Sequence, residues 1–145
     1  MKISILTIVL LFQLNTYSKN YLVKAYEVKG RETMFFEPSY LQINKGDTVT
    51  FKPMESFAHQ PQSIFSPDGE RKWQAEKGKS ITVKFEKEGI HIYNCKFHFV
   101  MGMAGIIQVG KATNFEQAKN FIKTYQTKVA MRKERLIKNL NQVKN

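Results

Sequence analysis

The feature that most constrains the fold is the alternation of short apolar runs with turn residues between residues 19 and 110. Such runs, separated by Gly, Pro, Asn and Asp at close intervals, are typical of the strands of an antiparallel sandwich. The strand candidates are residues 21–28, 34–36, 40–43, 48–51, 81–85, 90–93 and 105–109. We therefore expect an all-β Greek-key sandwich in this part of the chain.

After Gly110 the pattern becomes helical. Thr113 and Glu116 have the spacing of a capping box, and apolar residues then recur every three or four positions. These apolar residues are Phe115, Ala118, Ile122, Tyr125, Val129, Leu136, Leu140 and Val143. Residues 125–127 interrupt the strong helix formers, so we expect two helices with a bend there. Residues 111–145 are thus predicted to form a helical extension packed on the same domain.

The N-terminus carries an apolar run at residues 3–12 behind Met1 and Lys2. About 20 apolar residues are needed to span a membrane, so a run of ten fits a signal peptide better than an anchor. We expect residues 1–18 to be removed by cleavage after Ser18, with export to a periplasm and no stable membrane insertion. An amphipathic or buried N-terminal helix is the weaker interpretation, because no polar face recurs at helical spacing.

The chain is strongly basic, with 23 Lys and Arg against 12 Asp and Glu. Cleavage would remove one lysine and no acid, leaving 22 against 12 and a net charge of +10. Residues 111–145 hold nine of these cations and two acids. The extension is either a solvated outer face or a docking surface. Nucleic acid is not an expected partner, because an exported protein rarely meets nucleic acid and the chain lacks an aromatic, arginine-rich platform.

Four residues form a pattern with metal chemistry. One short stretch after the strand at residues 90–93 contains Cys95, His98 and Met103. His59 lies in a loop 36 residues before Cys95. A thiolate, two imidazoles and a weak axial thioether are the ligand set of a type 1 copper centre. With no second cysteine, a disulfide or a Cys-rich zinc or iron-sulfur site is excluded.

Other interpretations of these residue types remain open. A lone cysteine is often a buried small hydrophobe, and His59 could be a solvated loop residue. His91 alternates with Tyr93 and Cys95 on one strand face, so we interpret it as a structural histidine. Met101 is a competing axial ligand, although we expect it to pack. An apolar collar of Met34, Phe97 and Phe99 around the site is a further possibility, with ordinary packing as its alternative.

Together these motifs resemble the cupredoxins, the blue copper proteins. The stretches that carry the resemblance are residues 36–38, 44–51, His59, 93–98, 101–103 and 106–110. The Cys-x2-His-x4-Met spacing is shared with plastocyanins and pseudoazurins, and the Met-Gly-Met ending and the helical tail favour pseudoazurin. The resemblance spans residues 20–140 and points to the same four ligands.

The sequence departs from that family at two positions. Gln60 stands where the residue after the first ligand histidine is usually Asn, and Phe97 stands where pseudoazurins commonly have Pro. Neither change removes a ligand. Both concern groups that orient ligands, so we expect them to affect reduction potential and rigidity.

The resemblance implies a soluble, monomeric one-electron carrier rather than an enzyme, since four protein donors leave no open coordination position for a substrate. Such a carrier would hold one copper ion, and its charge of +10 after cleavage leads us to expect redox partners with an acidic docking patch. The alternative function is copper delivery or storage in the periplasm with the same ligands. A metal-free structural sandwich is a third interpretation.

Overall fold

The computed structural model describes residues 17–55 and 58–144 and contains two four-stranded sheets. The first sheet consists of β1 (Asn20–Lys29), β2 (Glu32–Glu37), β4 (Thr48–Pro53) and β6 (Ile81–Lys84). The second consists of β3 (Tyr40–Ile43), β5 (Pro61–Phe65), β7 (Gly89–Cys95) and β8 (Ala104–Val109). The strand orders are β2-β1-β4-β6 and β3-β8-β7-β5, which confirm the predicted sandwich. Of the predicted signal peptide, residues 1–16 lie outside the described residues.

Strand β5 was not among the predicted strands. Its sequence begins with Pro61 and continues with Gln62 and Ser63, so it lacks the apolar alternation that marked the others. A proline is tolerated as the first residue of a strand, and β5 is an edge strand that pairs with β7 and makes one further bridge, from Gln62 to Gln74. This strand sets the position of the loop that holds His59.

The central strand β7 is buried along its whole length, because both of its faces are covered. Tyr93 and Cys95 belong to the apolar cluster between the two sheets, which also contains Phe36, Phe51 and Met103. Ile90 and Ile92, on the other face, pack with residues of the C-terminal helices. The extension therefore covers the outer face of the second sheet.

The extension contains α1 (Phe115–Tyr125), a 3-10 turn at Gln126–Lys128, and α2 (Glu134–Leu140). The predicted bend is confirmed, but the capping box is wrong. Asn114 precedes α1, and no side chain caps the helix. Thr113 instead donates to the carbonyl of Glu88, and the Asn114 amide exchanges two hydrogen bonds with the backbone of Ile90. Tertiary contacts to β7 thus replace the local cap.

Helix α2 is also tied to the first sheet. The Arg135 guanidinium donates to the carbonyls of Met34 and Thr33 at 2.6 and 3.1 Å, and to Glu32 Oε2 at 2.8 Å. The Arg135 side chain is 15% exposed.

Within the described residues, no helix is long and apolar enough to cross a membrane.

Candidate metal centre

Strand pairing brings His59 to Cys95. Pro61, the first residue of β5, pairs with Cys95, the last residue of β7. The two backbones are also joined by the Lys96 N–H, which donates to the carbonyl of Gln60 at 3.0 Å. The carbonyl of His59 accepts from Gly78 N–H at 2.8 Å. His59 therefore lies in the loop before β5, beside the C-terminal end of β7. Backbone hydrogen bonds to Lys96 and to Gly78 hold this loop in place.

The side chains of Cys95, His59 and His98 converge. Cys95 Sγ lies 3.9 Å from His59 Nδ1 and 3.5 Å from His98 Nδ1, and all three ligand atoms lie within 4.8 Å of one another. The two imidazole rings meet edge to face with centroids 5.2 Å apart. Over residues 17–55 and 58–144, this is the one cluster of His, Cys, Asp or Glu side chains close enough to hold an ion.

Both imidazoles favour the neutral state, which is the state that binds a metal. Burial lowers the pKa of His59, and the neighbouring His98 lowers it further. Burial likewise lowers the pKa of His98. His59 is fully buried, whereas His98 is half-buried, so the second histidine forms the solvent-facing side of the cluster.

Met103 lies opposite Cys95 across the loop that joins β7 to β8. Asn94 pairs with Ala104, and the Cys95 N–H donates to the carbonyl of Met103 at 3.0 Å. Met103 is fully buried and shares the apolar cluster with Cys95. The backbone thus places the thioether in the same buried region as the thiol.

The thiol receives a hydrogen bond from the backbone of Gln60. Gln60 N lies 3.5 Å from Cys95 Sγ, within the range for a bond to sulfur. The side-chain amide of Gln60 is buried and donates to the carbonyl of Ala75 at 2.9 Å. Its longer side chain therefore ties the His59 loop to residues 73–75, a contact that the sequence did not predict.

The remaining candidates lie as follows. His91 is buried, with Nε2 2.9 Å from the carbonyl of Lys87, which confirms a structural histidine. Met34 packs against the cluster of Cys95 and Met103, whereas Phe99 packs against the helices. Phe97 is exposed, with Lys77 Nζ 5.2 Å from its ring centroid. The three residues of the suggested collar are therefore in three different environments.

The donor set fits a soft or borderline metal ion. One thiol and two neutral imidazoles face a common point, and a buried thioether belongs to the same apolar cluster. These are the ligands that select copper over magnesium or calcium, which prefer oxygen. His59 Nε2 is buried and has no hydrogen-bond partner within the described part of the chain.

Comparison with known sequences finds copper-binding proteins, in agreement with the donor set. The family model for copper binding proteins, plastocyanin/azurin family, matches residues 23–110. Pseudoazurin from Methylorubrum extorquens is 34% identical over 90 residues, which are 60% of this chain and 60% of its own. A putative pseudoazurin from Rhizobium leguminosarum bv. viciae is 37% identical over 95 residues, 63% of this chain and 62% of its own. The matches thus span about three-fifths of these relatives.

Solved structures extend the similarity into the helices. Native pseudoazurin from Hyphomicrobium denitrificans superposes with a TM-score of 0.77 at 27% identity, covering 87% of this chain and 99% of that chain. Pseudoazurin from Methylobacterium extorquens AM1 gives 0.65 at 32% identity, covering 69% and 83%. The fold, including most of the extension, is therefore the one found in pseudoazurins.

Proposed function

Because the chain belongs to the plastocyanin/azurin family of copper-binding proteins, we propose that it is a type 1 copper protein that carries one electron at a time between larger redox proteins. The observation that carries this proposal is the convergence of one buried thiol and two imidazole Nδ1 atoms, at 3.9 and 3.5 Å from the sulfur. The similarity to pseudoazurins supports it.

Each of the four residues has a distinct role in this proposal. Cys95, His59 and His98 would hold the ion through one thiolate and two imidazoles, and Met103 would supply the weaker thioether donor. A copper ion held by these residues would supply one-electron redox chemistry, because imidazole suits Cu(II) and thiolate and thioether favour Cu(I). The protein holds three of the donors on the short segment from Cys95 to Met103 and the fourth on the loop before β5, which fixes them before the ion enters.

His98 is the proposed point of electron exit. It is half-buried, whereas His59, Cys95 and Met103 are fully buried. The exposed side chains of Phe97 and Val100 flank it in the chain. A partner that docks on this end of the sandwich would come closest to the ion through His98. The four donors fill the coordination sphere, so we propose a carrier and not an enzyme.

We also propose export to a periplasm after removal of residues 1–18. The apolar run at residues 3–12 and the small residues before position 19 support this. The first strand begins at Asn20, directly after the proposed cleavage point.

The experiment is addition of Cu(II) to purified protein spanning residues 19–145, followed by visible and EPR spectroscopy. We expect one equivalent to give the intense thiolate-to-copper band. Cys95→Ser should abolish that band while circular dichroism still reports the sandwich, because a hydroxyl is a poor soft ligand. An unchanged band in that variant contradicts the assignment.

Two further measurements complete the test. His59→Ala should lose the wild-type spectrum and regain it in part with added imidazole, whereas a wild-type spectrum without imidazole would show that His59 is not a ligand. Repeated oxidation and reduction with the ion retained supports the carrier. Release of copper to a chelator during each cycle would favour copper delivery instead.

A further inference from the structure

The C-terminal extension reaches the loop that carries three of the proposed ligands. The backbone N–H groups of Ala130 and Met131 both donate to the carbonyl of Val100, at 2.8 and 3.1 Å. Val100 lies between His98 and Met103, in a 3-10 turn formed by Phe99–Met101. The segment between the two helices of the extension is therefore in direct backbone contact with the centre of the ligand loop.

Gly102 makes this contact possible. Its φ is +74°, which a residue with a side chain rarely adopts. A Cβ at this position would lie 2.7 Å from the carbonyl oxygen of Met131 and 2.8 Å from that of Arg132. Because Gly102 has no side chain, the backbone of the loop can approach the backbone of the extension this closely.

A second contact holds the other end of the loop. Asn94, which directly precedes Cys95, donates from Nδ2 to the hydroxyl of Tyr125 at 2.8 Å. Gln62 Nε2 donates to the Asn94 Oδ1 at 3.1 Å. Asn94 and Tyr125 are both buried, and burial raises the pKa of the Tyr125 phenol, which therefore stays protonated. The residue before the thiol is thus fixed by α1 on one side and β5 on the other.

From these contacts we infer that the extension is a positioning element of the metal centre: Tyr125, acting through Asn94, and the 130–132 backbone, acting through Val100 and Gly102, hold the loop from Cys95 to Met103 in one conformation. The inference rests on the proposed function. None of these residues is a ligand. They act by limiting how far His98 and Met103 can move. Groups that form hydrogen bonds around metal ligands generally have this role.

Tyr125→Phe tests the Asn94 contact, because it removes one hydroxyl and keeps the ring. Tyr40→Phe is the matched control, since the Tyr40 hydroxyl donates to Gln108 Oε1 at 2.7 Å on strands β3 and β8, away from the loop. In the copper-loaded protein we expect Tyr125→Phe to shift the reduction potential, change the visible and EPR spectra, and accelerate copper release about 10-fold. Tyr40→Phe should leave all three as in the wild type while lowering stability.

Ala130→Pro tests the backbone contact, because proline has no N–H to donate to Val100. Val129 has the extended backbone that a residue before proline requires, with ψ of 127°. We expect this variant to shift the potential and the copper release rate, and Ala130→Ser, which keeps the N–H, to match the wild type. If Ala130→Pro does not fold, Tyr125→Phe decides alone.

The inference is overturned if Tyr125→Phe has the potential, spectra and copper release rate of the wild type and differs only in melting temperature, as Tyr40→Phe would. Failure of the wild type itself to show a type 1 spectrum would overturn the proposed function instead. The two failures are therefore separate results.

Discussion

At the scale of single residues, the axial position can be tested by comparing two methionines. Met103 is fully buried beside Cys95, whereas Met101 lies at the end of the 3-10 turn and is half-buried. Met103→Gln should lower the reduction potential while copper stays bound, because an amide oxygen is a harder donor and stabilises Cu(II). Met101→Gln should have a much smaller effect. Voltammetry on both variants provides the measurement, and a larger shift at Met101 would reverse the assignment.

His91 provides a pH-dependent contribution to stability. Burial against the ring of Phe85 lowers its pKa to about 4, against 6.5 for a free histidine. The neutral form is therefore favoured in the folded state, so this contribution is complete above pH 6.5 and disappears as the pH falls towards 4. The loss amounts to about 3 kcal/mol.

The matched variant is His91→Gln, which does not titrate and can still donate to the carbonyl of Lys87. Urea unfolding at pH 7 and pH 4 should show the wild type losing about 3 kcal/mol more than the variant, because the other titrating groups are common to both. Equal losses in the two proteins would show that His91 is not buried as a neutral group.

Gln60 shows what residue-level reasoning could and could not supply. The sequence marked it as a departure from the usual Asn, yet the partner of its side chain depends on where residues 73–75 lie in space. Three of the proposed ligands were easier to identify, because Cys95, His98 and Met103 are close together in the chain and have a characteristic local spacing. His59 required the pairing of β5 with β7, and β5 has no clear sequence signal.

At the scale of elements, the contact of α2 with β2 makes a prediction about stability. Arg135 is mostly shielded and serves two backbone carbonyls and Glu32, whereas the Lys29–Glu37 pair is exposed. Arg135→Met should lower the free energy of unfolding by about 2 kcal/mol, since it leaves carbonyls without donors. Lys29→Met should lower the free energy of unfolding much less, because solvent screens the exposed Lys29–Glu37 pair. Urea denaturation of both variants checks this, and equal effects would mean that the Arg135 contacts are solvated.

At this scale, the sequence predicted the two helices of the extension but not how the first helix begins. The two helices and their bend followed from apolar periodicity and from the break at residues 125–127. The capping box did not form, because Thr113 and Asn114 bind the backbone at Glu88 and Ile90 instead. Whether a side chain caps its own helix or binds a distant backbone group depends on the tertiary packing of α1. A local sequence pattern does not contain that information.

At the scale of the whole molecule, the distribution of charge predicts how the protein meets its partners. Lys96 in the ligand loop and Lys77 over the ring of Phe97 are both exposed. The extension does not lie wholly away from the loop, because residues 130–132 contact it. These two lysines near His98 should accelerate encounter with an acidic partner, and salt should slow it. The Debye length falls from about 30 Å at 0.01 M to about 8 Å at 0.15 M.

Stopped-flow electron transfer with an acidic redox partner measures this effect. Lys96→Glu should reduce the bimolecular rate constant more than Lys138→Glu, a matched change on α2, and neither should alter the copper spectrum. A rate constant indifferent to salt, or a larger effect at Lys138, would place the docking surface elsewhere.

The burial of β7 on both faces has a consequence for hydrogen exchange. All seven residues from Gly89 to Cys95 are buried, the strand pairs with β5 and β8, and the Ile90 N–H donates to Asn114 Oδ1. Segments of this kind open only when the whole domain unfolds. The strand that ends at Cys95 should therefore show the slowest deuterium uptake in the molecule, with or without metal. The thiol would then be attached to the part of the protein that fluctuates least, and under the proposed function an ion that gains or loses an electron there would meet surroundings that scarcely rearrange.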